Sequence, residues 1–206
     1  MQKEVAAQAE EVAADAPVEG DLLDRVIAAL SASSRHIALA AGWTATCGSL
    51  IFSEVFHWLP CELCWFQRIL MYPLAPLIAM GILRNDRGLP LYVLPLSLTG
   101  MGVSLYHYLL IKTDIFPPPP CADGVPCTVD YLNILGFINI PFLALIAFLI
   151  ISIMMGSYLV SQQNEEEGPE TQPIAWRAAA SPAQIGVLAV TALVIFTFIG
   201  IGAALV

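Results

Sequence analysis

The chain has 206 residues, 58% of them hydrophobic and only 12% charged, with a mean hydropathy of +0.75. Soluble domains carry about 25% charged residues, so this much apolar surface excludes an ordinary soluble domain and makes membrane residence the starting premise. The formal net charge of −9 comes mainly from two acidic segments, seven acids within 4–24 and four within 165–170; these are solvated tails, and with no basic patch nucleic acid is excluded as a partner.

Residues 1–20 are rich in Ala, Glu and Val without periodicity and read as a disordered tail. From Asp21 to Leu30 the residues Leu22, Leu23, Val26, Ile27 and Leu30 share one helical face. That face fits either a short helix on the membrane surface or an extension of the first span. Five stretches of about 20 apolar residues, enough to cross the hydrocarbon layer, follow at 37–56, 64–83, 91–111, 141–160 and 185–206. Prolines 73, 76 and 95 fall inside the second and third and read as packing kinks. The stretch 161–173 reads as a cytoplasmic linker. The first apolar run starts late, is full length and follows acids, which argues against a secretory signal.

Orientation follows from the basic residues. Lys3, Arg25, Arg35, Arg84, Arg87 and Arg177 fall on one side of such a chain; Arg68 and Lys112 fall on the other. The positive-inside bias then places the N-terminus and the 84–90 loop in the cytoplasm, with 57–63 and 112–140 outside. Four of the five cysteines lie on that outer side, where disulfides persist. Cys47, in the middle of the first span, reads as a small buried hydrophobe.

The motif CELCWFQR (61–68) sets Cys61 and Cys64 at the head of a helix. The helix dipole and Arg68, four residues beyond Cys64, both favour a thiolate there. A C-x-x-C alone fits a zinc knuckle or an inert disulfide equally well. A second pair on the same side, Cys121 and Cys127, sits in a turn-rich segment behind a stiff Pro117–Pro120 arm. A small exposed loop disulfide is the labile kind, so the two pairs suggest an electron relay from loop to helix end. A metal would need all four sulfurs around one ion, and Arg68 would oppose it; no metal is expected. Arg68, about one turn inside the bilayer, is a candidate quinone ligand, and His107 in LYHYLL lies at a similar depth. Trp65, Tyr106 and Tyr108 offer flat aromatic surface. The plain readings are a snorkelling Arg, an interfacial His and an aromatic belt.

CELCWFQR resembles the C-x-L-C-W-x-Q-R signature of the DsbB/BdbC disulfide bond formation proteins. The likeness continues through LYHYLLIK (105–112), the Cys121/Cys127 pair and GFINIPFLAL (136–145), and is nearest the BdbC branch with its tightly spaced loop pair. It implies an all-α membrane protein of the bacterial plasma membrane, with a four-helix bundle over 36–160. Outside the resemblance lie an acidic cytoplasmic tail, 1–35, an acidic cytoplasmic linker, 161–182, and an additional transmembrane helix over 183–206, a fifth span that departs from the family's usual four. The resemblance further implies redox-active disulfides Cys61–Cys64 and Cys121–Cys127, a thioredoxin-fold thiol oxidase (DsbA/BdbD-like) as partner, and menaquinone or ubiquinone as acceptor. In that scheme the partner attacks Cys121, Cys127 exchanges with Cys61, and Cys64 faces the quinone with Arg68, His107 and Trp65 nearby. The vitamin K epoxide reductase type is the redox rival, but there the loop pair precedes the C-x-x-C. A metal-binding membrane protein or transporter, and a structural subunit braced by inert disulfides, are the non-enzymatic ones.

Overall fold

Long apolar runs need their backbone polar groups paired internally, and here they fold as helices. The structure, a computed structural model, describes residues 20–113, 115–117, 125–165 and 182–205, with side chains described over 33–113, 115–117, 125–162 and 185–204. The acidic tail to residue 19, the linker over 166–181 and Cys121 lie outside the described residues. The helices are α1 (Gly20–Glu54), α2 (Glu62–Met71), α3 (Leu74–Leu83), α4 (Leu89–Lys112), α5 (Ile140–Glu165) and α6 (Pro182–Leu205). Among the described residues there is no strand, only one antiparallel bridge between Ile134 and Ile138. The chain is an all-α membrane protein.

Among the described residues, four helical segments, Glu62–Leu83, Leu89–Lys112, Ile140–Gln162 and Ile185–Ala204, are long and apolar enough to cross a membrane. The first expected span, 37–56, lies almost wholly in α1. That helix has ample length, 35 residues, but Thr44, Thr46 and Ser49, with Gly42 and Gly48, leave it less apolar than the other four. α1 is continuous from Gly20, so 21–30 is an extension of the first span rather than a separate helix.

Of the prolines, Pro73 divides the second span into α2 and α3. Pro76 falls in the first turn of α3, where its missing N–H has no intrahelical carbonyl to seek. Pro95 is carried inside an unbroken α4. At the cysteine end, α1 stops where His57 takes a left-handed conformation (φ 54°), which lays Trp58 back on Phe52 and Phe56.

α4 packs along α5, α5 along α1, and the α2–α3 rod against both α1 and α4. The shared core comprises Leu39, Leu74, Ile78, Val93, Phe148 and Ile151, all fully buried. Gly100 is what lets α4 and α5 approach: a Cβ there would fall 2.2 Å from the Phe148 ring. Ser152 also donates a hydrogen bond to Ser97 across that interface, at 3.0 Å. α6 lies outside the bundle against α1 and α3. It buries Val187 and turns Leu188, Leu193 and Phe196 outward, as a lipid-facing helix does.

Candidate functional site

Cys61 is the N-cap of α2, and its sulfur accepts the Cys64 N–H at 3.4 Å. The Cys61 S–H in turn donates to Cys64 Sγ at 2.9 Å. That bond, with burial, pushes the Cys61 thiol up to about 12, partly offset by His107. His107 projects from α4 with Nε2 3.7 Å from Cys61 Sγ and 3.0 Å from the Cys127 carbonyl. A carbonyl can only accept, so Nε2 carries the hydrogen. Nδ1 is then the acceptor, and the Gln67 side-chain N–H donates to it at 3.1 Å. Cys61, Cys127, Gln67 and His107 are all buried, and Cys61, Cys127 and Leu110 form a small core of their own.

On the other side of Cys64 lies an apolar cleft of about 640 Å³ between α1, α2 and α5. Small residues create it: Ala41, Ala45 and Gly48 on α1 face Ala144 and Ala147 on α5. Its polar wall is Cys64, Gln67, Arg68, Ser49 and Tyr72. Arg68 donates to the Ser49 carbonyl at 3.3 Å, and its guanidinium lies 5.4 Å from the centre of the Trp65 ring. The Tyr72 hydroxyl donates to Ser49 Oγ at 3.3 Å. An aromatic stack closes the cysteine end, with Trp58 5.3 Å from Phe52 and 5.6 Å from Tyr131, ring centre to ring centre. The loop bearing Tyr131 is held by the Lys112–Asp130 ion pair at 3.0 Å.

Cys61 and Cys64, His107 and Cys127, from three separate stretches of the chain, are thus gathered at one end of the bundle. Cys64 and Arg68 line the cleft. Among the described residues, His107 and Trp65 do not. His107 lies behind Cys61, and Trp65 sits beneath Arg68, half exposed. Cys47, on α1, lines neither cavity at this site. Ser49, Trp58, Tyr131 and Phe198 take part although their sequence positions gave no prompt, and Gln67 does so having stood in the sequence only as the Gln of the C-x-L-C-W-x-Q-R motif.

The sequence profile of the disulfide bond formation protein DsbB family matches residues 31–157. Disulfide bond formation protein C of Bacillus subtilis is 47% identical over 127 residues, covering 59% of this chain and 92% of that protein. A probable disulfide formation protein C of Halalkalibacterium halodurans is 50% identical over 111 residues, 53% of this chain and 81% of that protein. Probable disulfide formation protein C 1 of Bacillus anthracis is 44% identical over 117 residues, 56% of this chain and 84% of that protein. No solved structure matches the chain.

Proposed function

Because the chain belongs to the DsbB family of disulfide bond formation proteins, we propose that it reoxidises an extracytoplasmic thioredoxin-fold thiol oxidase and passes the electrons to a membrane quinone. Family membership makes it a membrane disulfide oxidoreductase. The observation that carries the finer reading is the position of Cys64: of the described cysteines it alone borders both the buried sulfur–imidazole cluster and the apolar cleft. One sulfur can therefore exchange with thiols on one side and meet an apolar acceptor on the other.

The proposed sequence balances at each step. The partner's thiolate attacks Cys121 of a Cys121–Cys127 disulfide, and the partner's second thiol then releases the partner as a disulfide, leaving Cys121 and Cys127 reduced. Cys127 attacks Cys61 of the Cys61–Cys64 disulfide, Cys64 leaves, and Cys121 resolves the mixed bond, so two electrons now reside on Cys61 and Cys64. Burial of Cys127 in one small core with Cys61 supports that exchange. A bound quinone supplies the final sink for two electrons and two protons. The cleft suits such a group in size, since ligand pockets run to about 300–1,000 Å³. Its apolar walls and the Arg68 donor suit a flat ring with polar oxygens. Gln67 holds the His107 imidazole beside Cys61, where its Nε2–H can donate to a Cys61 thiolate and stabilise it. The positive-inside bias supports a cytoplasmic N-terminus, with these cysteines at the outer face of the bacterial plasma membrane.

The test is turnover of the detergent-purified full chain with a reduced thioredoxin-fold dithiol as donor, with and without added quinone. Donor oxidation is expected to require quinone and to be abolished by Cys64→Ser and by Cys121→Ser. Quinone-independent oxidation, or full activity in Cys64→Ser, contradicts the reading.

A further inference from the structure

Cys61, Cys64 and His107 each offer one ligand atom, and the three atoms lie within 4.8 Å of one another. Cys61 is 6% exposed and His107 2%. A small void of about 20 Å³, distinct from the cleft, touches all three residues and is otherwise walled mainly by the Val125–Tyr131 loop and the start of α5. A void larger than about 10–15 Å³ holds one water. Two sulfurs, one imidazole and room for one water is the donor set of a four-coordinate soft divalent ion. We propose that the reduced Cys61–Cys64 pair and His107 form a binding site for a zinc-class ion, with water as fourth ligand.

The three ligand atoms, all within 4.8 Å of one another, must settle onto the edges of one tetrahedron. Zn–S bonds of about 2.3 Å and Zn–N bonds of about 2.0–2.1 Å put tetrahedral ligand atoms about 3.5–3.8 Å apart. Cys61 Sγ and His107 Nε2 stand at 3.7 Å already. The two sulfurs, at 2.9 Å, must part by about 0.9 Å to reach that edge, within the range of a small rotation of the Cys64 side chain. His107 must offer Nε2 without its hydrogen, so its hydrogen moves to Nδ1. Gln67 can follow by turning its amide so that Oε1 accepts the Nδ1–H. Ligating imidazoles nearly always donate their other N–H to such a partner, and here the partner is already in place.

Charge also favours the site. Two thiolates neutralise a divalent ion, which lowers the cost of burying it. Arg68 lines the cleft and not the void, with its guanidinium held at the Ser49 carbonyl. Binding releases one proton from each thiol and moves no electrons. A Cys61–Cys64 disulfide offers neither thiolate, so the ion binds only after the pair is reduced. Binding needs only these thiols and His107, so it stands or falls separately from the identity of the electron acceptor.

The experiment uses the detergent-purified full chain carrying Cys121→Ser and Cys127→Ser, which removes the loop sulfurs, and titrates it with Cd²⁺ alone. The reduced protein is expected to bind one ion per chain with a thiolate-to-cadmium ultraviolet band, and the oxidised protein none. His107→Gln is expected to weaken binding at least tenfold. Gln67→Met is expected to weaken it by about 10–100-fold, the usual loss on removing a ligand's supporting partner. X-ray absorption of the same protein loaded with zinc, expected to report two sulfurs and one imidazole, tests the ligand set with Cys61, Cys64, Gln67 and His107 all unaltered. Absence of saturable binding, sulfur-only coordination, or unchanged affinity in a folded His107→Gln protein overturns the site.

Discussion

At Cys64 two environments share one sulfur: the closed thiol–imidazole cluster behind it and the apolar cleft ahead, where Arg68 lies one turn further along α2. Arg68→Ala is expected to raise the KM for quinone by about tenfold or more, since a hydrogen bond from a charged donor contributes about 1.5–3 kcal/mol. Thiol exchange between the loop pair and the partner should persist; quinone-dependent steady-state kinetics beside a quinone-free exchange assay separates the two. Arg68→Lys should restore the function only partly, because an ammonium cannot span the same contacts as the planar guanidinium. The C-x-x-C and Arg68 were legible in the sequence because their chemistry depends on spacing within a single helix. His107 was only half legible. Its depth along α4 could be read from its distance to the helix end, and the structure places it at the level of Cys61. Its direction around the bundle axis depends on how α4 packs, and that turns it toward Cys61 and Gln67 and away from the cleft. Gln67 was legible as a motif residue but not in its role, and Trp58 and Tyr131 not at all, because all three acquire their partners only through contacts 6 to 73 residues away along the chain.

Among the elements, close packing at single positions sets how the helices meet. Gly100→Ala is expected to drive a methyl into the Phe148 ring, 2.2 Å from the new Cβ, and overpacking of this kind costs about 1–3 kcal/mol. Gly102→Ala, two residues along with nothing within 4 Å, should be neutral by comparison; thermal unfolding in detergent measures both. The start of α5 depends on Asn139, fully buried, whose Oδ1 accepts the Phe142 N–H at 3.0 Å. Asn139→Ala should cost about 1 kcal/mol, as loss of a helix N-cap does, and loosen the approach of the 125–139 loop to Cys61, read as faster alkylation of that thiol. Four of the spans were legible because hydropathy needs no tertiary information. The first was overextended at its C-terminal end: helix stops at Glu54, and 55–58 turn back through His57. No proline or glycine marks that turn, so local residue signals did not locate it.

Over the whole molecule, the bundle of α1 to α5 contains the residues matched to the family, 31–157, while α6 lies beyond them. α6 nevertheless reaches the cleft: Phe198 is part of its lining and would sit 3.9 Å from a Cβ at Gly48. Phe198→Ala is expected to raise the KM for quinone severalfold without slowing loop exchange, measured over a series of quinones with different isoprenoid tails. The fifth span was legible as a span, but its contribution to the cleft rests on a contact with α1 that lies about 150 residues away in sequence, beyond any local pattern. In the proposed function the electron acceptor occupies the cleft bordered by Cys64, Arg68 and the small faces of α1 and α5. The most direct measurement is photolabelling of the reduced full chain with an azidoquinone, followed by peptide mapping. Labels on Ala45, Ser49, Ala144 or Ala147, displaced by unlabelled quinone, are the result expected; labels confined to the outward face of α6, around Leu188 and Leu193, or insensitive to competing quinone, would contradict it.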